Sequence, residues 1–179
     1  MMYPSPIFLI SGPPGAGKSS VSKALLERFP FGIHLPLDDL REFVVSGIAH
    51  PVPAFTPEFG RQYRLSLEAG SLLARLYADA GFVVALDNVV GAFDAQLFDV
   101  AFQEYYFQKI LLPTLETALE RNRTRTSKNF DPATLEDVIA RIHAEHSAQT
   151  LGPDWTVLDT SKLTLEQTVD TILMALEEF

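Results

Sequence analysis

The chain has 179 residues, a formal net charge of −9 and no cysteine. Hydrophobic residues make up 47% of it and charged residues 21%, which fits one globular domain and excludes a disordered or fibrous chain. The lack of cysteine excludes disulfides, thiolate nucleophiles and cysteine-based zinc sites. A surface this acidic repels phosphate backbones and anionic lipids, so we expect neither duplex nucleic acid nor a membrane as the main partner.

The N-terminal segment lacks the features of a secretory signal. Its apolar stretch, Ile7 to Ile10, is short and has no basic flank. No apolar run approaches the ~18 residues that span a bilayer. Because no linker rich in Gly, Ser or Pro divides the chain, we predict a single cytoplasmic domain over residues 1–179.

Short apolar runs alternate with longer amphipathic segments, as in parallel sheets covered by helices on both faces. Strands are predicted over residues 7–10, 33–37, 82–86, 106–112 and 156–158. Helices are predicted over residues 18–29, 39–47, 57–80, 92–102, 114–127, 132–149 and 165–178. Thr56 before Pro57, and Thr164 with Gln167, are typical helix-start signals. This order predicts a mostly parallel, three-layer α/β sheet, with ligands beyond the carboxyl ends of the strands.

A glycine-rich segment follows the first predicted strand. It matches the pattern G-x-x-x-x-G-K-[ST] and contains Gly12, Gly15, Ala16, Gly17, Lys18, Ser19 and Ser20. Its backbone N–H groups and the following helix N-terminus can cradle phosphate. Lys18 would reach the β and γ phosphates, and the Ser19 hydroxyl would join a Mg²⁺ shell. We therefore predict a nucleoside-triphosphate site, and refer to residues 12–19 as the P-loop.

Asp87 ends the third predicted strand and is followed by Asn88. An acidic residue at such a strand end holds the nucleotide-bound metal in P-loop proteins. The alternative is that Asp87 only caps the following turn. With a P-loop present, the sequence favours the metal site.

Two acids, Asp38 and Asp39, follow the second predicted strand. Asp39 and Glu42 have capping-box spacing, which assigns Asp39 to the helix start and leaves Asp38 facing the cleft. Asp38 could act as general base toward a hydroxyl acceptor, hold a Mg²⁺-bound water or cap the helix itself. Arg41, one turn later, would lie near an anionic group of the acceptor or be a solvated surface residue.

Four basic residues stand between positions 121 and 128 of this acidic chain. Arg121 and Arg125 are four apart, so on a helix they share a face and repel each other. An anion between them removes that repulsion and would let them stabilise a transferring phosphoryl group. The alternative is a solvated charge run. We interpret residues 114–130 as a lid over the triphosphate.

Acceptor recognition is expected from the helical region 43–80, between the second and third strands. Arg64 is its candidate substrate-binding residue. Phe59 and Tyr63 could line a pocket, although their i, i+4 spacing is also typical of core contacts. His143 and His146 are predicted to be surface or packing residues, and His34 and Trp155 to be core residues.

Together these segments resemble the small P-loop kinases, which include the kinase domain of bacteriophage 5′-polynucleotide kinase, chloramphenicol phosphotransferase and zeta toxins. The resemblance rests on GPPGAGKSS, LDDLR, the LDN after the third strand, the R-x-x-x-R pair and DTSKLTLEQTVDTIL, and covers nearly the whole chain. It implies a P-loop NTPase fold with sheet order 2-3-1-4-5, a closing helical lid, and ATP with Mg²⁺ as the donor. It also implies that Asp38 is the general base and that Arg41 binds the acceptor.

The sequence departs from nucleotide kinases at one position in particular. Those kinases tend to carry D-G-[FY]-P-R after the third strand, whereas Asp87 is followed here by Asn88-Val89-Val90-Gly91. This departure disfavours nucleoside monophosphates as acceptors. The expected function is therefore ATP-dependent phosphorylation of a small-molecule hydroxyl. The alternative is a nucleotide-dependent regulatory ATPase or switch, although no N-K-x-D guanine motif is present. The sequence does not decide the acceptor, the oligomeric state, adenine against guanine, or Asp38 against Asp39 as base.

Overall fold

Strands and helices alternate along the chain as predicted. The computed structural model describes residues 5–51, 55–90, 94, 96–98, 102, 106–124, 132–147 and 155–174, with the backbone alone at 106–110, 132 and 133. The strands are β1 (Ile7–Ser11), β2 (Gly32–Pro36), β3 (Val83–Asp87), β4 (Tyr106–Leu111) and β5 (Trp155–Leu158). The helices are α1 (Lys18–Leu26), α2 (Leu37–Arg41), α3 (Pro57–Asp79), α4 (Leu115–Arg123), α5 (Glu136–Ser147) and α6 (Leu165–Met174), with a 3₁₀ helix at Pro132–Leu135.

The strands form one sheet in the order β2-β3-β1-β4-β5, with every neighbouring pair parallel. The predicted parallel α/β fold is confirmed. The strand register places Ile10 of β1 and Pro36 of β2 beside Asp87 of β3. These three strands therefore end together, and the segments that follow them meet at one edge, called here the carboxyl edge.

Alternate residues of β1 face opposite sides of the sheet. Ile7 and Leu9 belong to a core cluster that includes Leu67 of α3. Phe8 and Ile10 belong to a second cluster, together with residues of α1 and α6. All four of these β1 side chains are buried, because helices cover both faces of the sheet. The result is a three-layer core that fixes the carboxyl edge.

Several helices are shorter than predicted. Helix α1 ends at Leu26, shortly before Pro30, which disfavours helical backbone at the preceding residue. Helix α2 spans Leu37–Arg41 rather than 39–47, and Gly47 adopts a φ of 78°. Helix α4 ends at Arg123, and the rest of its predicted span from residue 125 lies outside the described residues. Among the described helices, none combines the length and apolar character that crossing a membrane requires.

The predicted helix-start signals of α3 and α6 are confirmed. The Thr56 hydroxyl accepts a hydrogen bond from the Phe59 amide at 3.1 Å and so caps α3. At α6, the Thr164 amide donates to Gln167 Oε1 at 2.9 Å. The Gln167 amide donates in turn to Thr164 Oγ1 at 3.1 Å. These reciprocal bonds satisfy backbone donors that a helix start leaves unpaired.

Candidate active site

The P-loop turns tightly between β1 and α1. Gly12, Gly15 and Gly17 have φ values of 145°, 84° and 93°, a region that favours glycine. A Cβ atom at Gly12 would clash with the Leu111 carbonyl oxygen, and one at Gly15 would clash with the Ala118 carbonyl oxygen. These glycines therefore let the loop lie directly against the backbone of β4 and α4.

The start of α1 is suited to an anion. Gly17 is its N-cap residue and provides no side-chain cap, so the first amides of the helix can serve a ligand. The Lys18 ammonium donates to the carbonyl oxygens of Gly12 and Pro13, at 3.0 and 3.2 Å. Lys18 thus folds back over the loop that is predicted to hold phosphate.

The structure brings Asp87 together with Lys18 and Ser19. Burial raises the pKa of Asp87, but hydrogen bonds from His34 and Ser19 and the charge of Lys18 outweigh burial and hold that pKa below its usual value. Asp87 is therefore a buried carboxylate that stays ionised at neutral pH. The metal-binding role of Asp87 stays a prediction.

His34 was expected to be a core residue, and that expectation is incomplete. Its Nε2 atom lies 2.7 Å from Asp87 Oδ2, and its side chain is only 14% exposed. A parallel sheet places His34 and Asp87 on adjacent strands and on the same face. The sequence signal was a histidine two residues before the end of the strand that neighbours Asp87.

The prediction that Asp39 caps the second helix is wrong. Helix α2 begins at Leu37, directly after β2, and its N-cap is Pro36, which offers no side-chain cap. Both acids therefore lie in the first turn, where they interact favourably with the helix dipole. Asp38 is half exposed, and its Oδ1 lies 3.5 Å from Arg41 Nη1. Asp38 is thus placed at the carboxyl edge by the immediate turn from strand to helix.

Arg41 is a buried residue rather than a solvated one. Its Nη2 donates to the Ala49 carbonyl oxygen at 2.9 Å, and its guanidinium carbon lies 4.5 Å from the Phe59 ring centroid. Within the part of the chain that the structure describes, its Nε has no hydrogen-bond partner. Arg41 therefore supports the segment after α2 and the Asp38 carboxylate together.

Tyr63 and Gln62 connect α3 to segments at the carboxyl edge, and the sequence did not reveal these contacts. The Tyr63 hydroxyl donates to the Val89 carbonyl oxygen at 2.9 Å and lies 3.3 Å from Asp94 Oδ2. Burial, followed by the charges of Asp94 and Asp38, raises the pKa of Tyr63. Gln62 accepts from the Ala49 amide and donates to the Gly47 carbonyl oxygen. The Gln62 bonds hold residues 47–49, which follow α2, against α3, and the Tyr63 bond holds Val89, which follows β3.

The other two described candidate arginines, Arg64 and Arg121, lie on different helices. Arg64 is exposed on α3. Arg121 Nη2 donates to the Thr160 carbonyl oxygen at 3.1 Å, which joins α4 to the segment after β5. Arg125 lies outside the described residues, as does most of the second half of the predicted lid.

Helix α5 carries two histidines with different surroundings. His146 is buried, and its Nδ1 atom has no hydrogen-bond partner among the described residues. Burial, followed by the charge of Lys18, lowers the pKa of His146. His143 Nε2 lies 2.9 Å from the Pro113 carbonyl oxygen. Both are packing residues, as predicted, and His146 also contributes to the electrostatics around Lys18.

No protein-family model and no curated protein matches the chain. Solved structures are similar to it. A sugar kinase from Janibacter sp. HTCC2649 is 19% identical, with a TM-score of 0.69, over 97% of this chain and 95% of that one. A gluconokinase from Sinorhizobium meliloti 1021 is 16% identical, with a TM-score of 0.66, over 99% and 94%.

A shikimate kinase from Acinetobacter baumannii, in complex with shikimate, is 18% identical, with a TM-score of 0.62, over 97% of this chain and 94% of that one. At these identities the similarity concerns the fold. The chain has the fold of these kinases over nearly its whole length.

Proposed function

We propose that this protein is an ATP-dependent phosphotransferase that moves the γ-phosphoryl group of ATP to a hydroxyl of a small molecule. The observation that carries this proposal is the shared placement of two groups at the carboxyl edge. Lys18 and Ser19 of the P-loop lie near Asp87, and Asp38 follows the adjacent strand β2. The first group suits a metal-bound triphosphate, and Asp38 suits a hydroxyl acceptor.

On the donor side, the P-loop amides and the start of α1 would hold the triphosphate. The Lys18 ammonium would give up its hydrogen bonds to the Gly12 and Pro13 carbonyl oxygens and bind phosphate oxygens instead. Ser19 and Asp87 offer the oxygen ligands that Mg²⁺ prefers, and two protein ligands are typical where phosphates and waters complete the shell. Mg²⁺ bound there would neutralise charge on the β and γ phosphates.

His34 would orient the metal-binding carboxylate. Its hydrogen bond to Asp87 Oδ2, at 2.7 Å, fixes one carboxylate oxygen. A carboxylate held in this way does not need to reorganise when the metal arrives. His34 is therefore a positioning residue for Asp87.

On the acceptor side, Asp38 would take the hydroxyl proton as the oxygen attacks phosphorus, with general-base catalysis worth about 10²–10⁴ in rate. Its half-exposed side chain can meet a substrate, and Arg41 orients it. Arg41 and Arg64 are the candidate substrate-binding arginines. Asp39, the neighbouring acid in α2, is the alternative base.

Arg121 and Arg125 would neutralise charge on the transferring group. For Arg121, this requires that its guanidinium leave the Thr160 carbonyl oxygen, to which it now donates, and bind a phosphate oxygen. Such a movement would accompany closure of the predicted lid and exclude water from the reacting centre.

The acceptor class is proposed from the names of three kinases that share the fold, which point to sugars, gluconate and shikimate. The decisive experiment is an ATP-dependent phosphorylation screen over a library of small hydroxyl compounds, read by the mass increase of the product. We expect one chemical class to be phosphorylated and to stimulate ADP release.

Lys18→Ala is the negative control for this screen, because it removes the cation of the P-loop and leaves the positive-φ glycines in place. Product formation at equal rates with wild type and Lys18→Ala would contradict the proposal. Slow ATP hydrolysis that no hydroxyl compound stimulates would also contradict it, and would support the regulatory ATPase.

A further inference from the structure

Helix α3 exposes a row of apolar side chains on the surface opposite the sheet. Leu65 is 48% exposed, Leu72 is 73% exposed and Leu76 is 65% exposed, and Ala69 between them is also exposed. The opposite side of the same helix carries buried residues such as Leu67 and Ala74. One side of this helix is thus covered by the core, whereas the apolar row on the other side stays exposed to solvent in the single chain.

The spacing of this row is that of a helix–helix seam. Positions 65, 69, 72 and 76 are separated by four, three and four residues, the alternation that keeps one stripe facing a second helix. The row lies in the middle of the longest helix of the described chain, Pro57–Asp79. A helix with such a stripe can pair with another copy of itself.

We propose that two copies of this chain pair through α3 in an antiparallel, two-fold symmetric dimer. The symmetry places Leu65 opposite the partner's Leu76 and Ala69 opposite the partner's Leu72. A two-fold axis between residues 70 and 71 generates both pairs. The interface is isologous, so each contact occurs twice and the assembly closes at two subunits.

The charges beside the row favour this register. Arg61, Glu68, Arg75 and Asp79 are exposed along one side of it. The two-fold axis brings Glu68 near the partner's Arg75 and Arg61 near the partner's Asp79. Both pairs join opposite charges, which selects the antiparallel arrangement. In a parallel pair the two-fold axis runs along the helices and places the two charged sides on opposite flanks of the seam, so neither of these pairs forms.

Analytical ultracentrifugation tests the dimer directly. We expect the wild type to sediment at twice the 19.8 kDa chain mass. Leu72→Glu should raise the dimer dissociation constant about tenfold or more, because a buried seam position becomes charged. Leu165→Glu, at another exposed leucine on α6, is the matched control and should leave the mass unchanged. Circular dichroism and Mg·ATP titration confirm that each variant is folded.

Charge reversal tests the register. Glu68→Arg and Arg75→Glu should each weaken the dimer a few-fold, and the double variant should restore it, since both charge pairs are then re-formed with exchanged signs. Weakening in the double variant beyond either single variant would overturn the proposed pairing.

Because the chain contains no cysteine, cross-linking of single-cysteine variants gives an independent measure. The two copies of residue 69 are displaced by about 4.5 Å along the helix axis and the two copies of residue 65 by about 16 Å, at 1.5 Å per residue. A short bismaleimide should therefore join A69C to itself but not L65C to itself. It should join L65C to L76C when the two variants are mixed.

A chain that stays monomeric up to ~100 µM, or a dimer that Leu72→Glu does not weaken, would overturn the proposal. Cross-linking of L65C to itself as efficiently as A69C would show a parallel dimer and would overturn it as well. None of these outcomes depends on the phosphotransferase activity.

Discussion

The proposed donor and acceptor sides of the carboxyl edge are built in different ways. The donor side is made of backbone turns and strand ends: the glycines of the P-loop, the first turn of α1 and the register that aligns β1 with β3. The acceptor side is held by side chains that reach distant backbone atoms, such as Arg41 to Ala49 and Tyr63 to Val89. The donor side can therefore persist through sequence change, whereas single substitutions can reshape the acceptor side.

Substitution of Asp38 should give the largest difference between the two sides, because it should impair phosphoryl transfer and leave ATP binding nearly unchanged. We expect Asp38→Asn to lower phosphoryl transfer about 10²–10⁴-fold, because the amide cannot take the acceptor proton. Mg·ATP affinity, measured by calorimetry, should stay within a few-fold of wild type, since Asp38 is outside the P-loop.

Asp39→Asn is the matched control for Asp38→Asn. The neighbouring acid occupies the same turn of α2, so its variant reports any general effect of removing a negative charge there. If Asp39→Asn abolishes transfer while Asp38→Asn does not, Asp39 is the base and the assignment is wrong.

Exchange of His34 should affect the donor side alone. Removal of its hydrogen bond to Asp87 should weaken binding of Mg²⁺ or Mn²⁺ to the enzyme–ATP complex about 10–100-fold, as is typical for residues that orient a metal ligand. Electron paramagnetic resonance of Mn²⁺ measures this affinity for His34→Ala. His34→Asn should recover part of it, since its amide can still donate. Unchanged metal affinity in both variants would contradict the positioning role.

Exchange of Tyr63 should affect the acceptor side with a smaller effect. Tyr63→Phe removes the hydrogen bond to the Val89 carbonyl oxygen and should lower the free energy of unfolding by about 0.5–1.5 kcal/mol. The KM for the acceptor should rise, because α3 is no longer fixed to the segment after β3, while the KM for ATP is unchanged. Equal effects on both KM values would remove the distinction between the two sides.

The smallest effect is the pH dependence from His146. Burial and Lys18 hold its pKa in the folded protein below the ordinary value of 6.5. The unfolded chain therefore binds the proton more readily, so stability is lost as the pH falls through the unfolded pKa of 6.5 toward the lower folded value. His146→Gln should reduce the drop in melting temperature between pH 7.5 and 5.5. An unchanged drop would show that other groups cause it.

The two sides also differ in what their sequences reveal. The parallel fold and the gathering of Lys18, Ser19 and Asp87 follow from local patterns, because a P-loop and a strand-end acid are recognisable in a few consecutive residues. Asp38 follows the end of β2 as predicted, but the prediction that Asp39 caps α2 is wrong, because α2 starts directly after β2 with no polar cap.

Contacts between distant residues could not be predicted. The pairing of His34 with Asp87 depends on strand order, and the bonds of Arg41, Gln62 and Tyr63 depend on how the segment after α2 packs on α3. The attachment of Arg121 to Thr160 likewise joins elements far apart in sequence. Periodicity and motif spacing carry no information about such side-chain-to-backbone bonds.

The most direct test of the account is a crystal structure with Mg²⁺, a non-hydrolysable ATP analogue and an acceptor found in the screen. The account predicts that the triphosphate lies within the P-loop, that Ser19 and Asp87 face the metal, and that the acceptor hydroxyl lies between the γ-phosphate and Asp38. A triphosphate bound elsewhere, or a γ-phosphate directed away from Asp38 with the acceptor hydroxyl out of its reach, would contradict it.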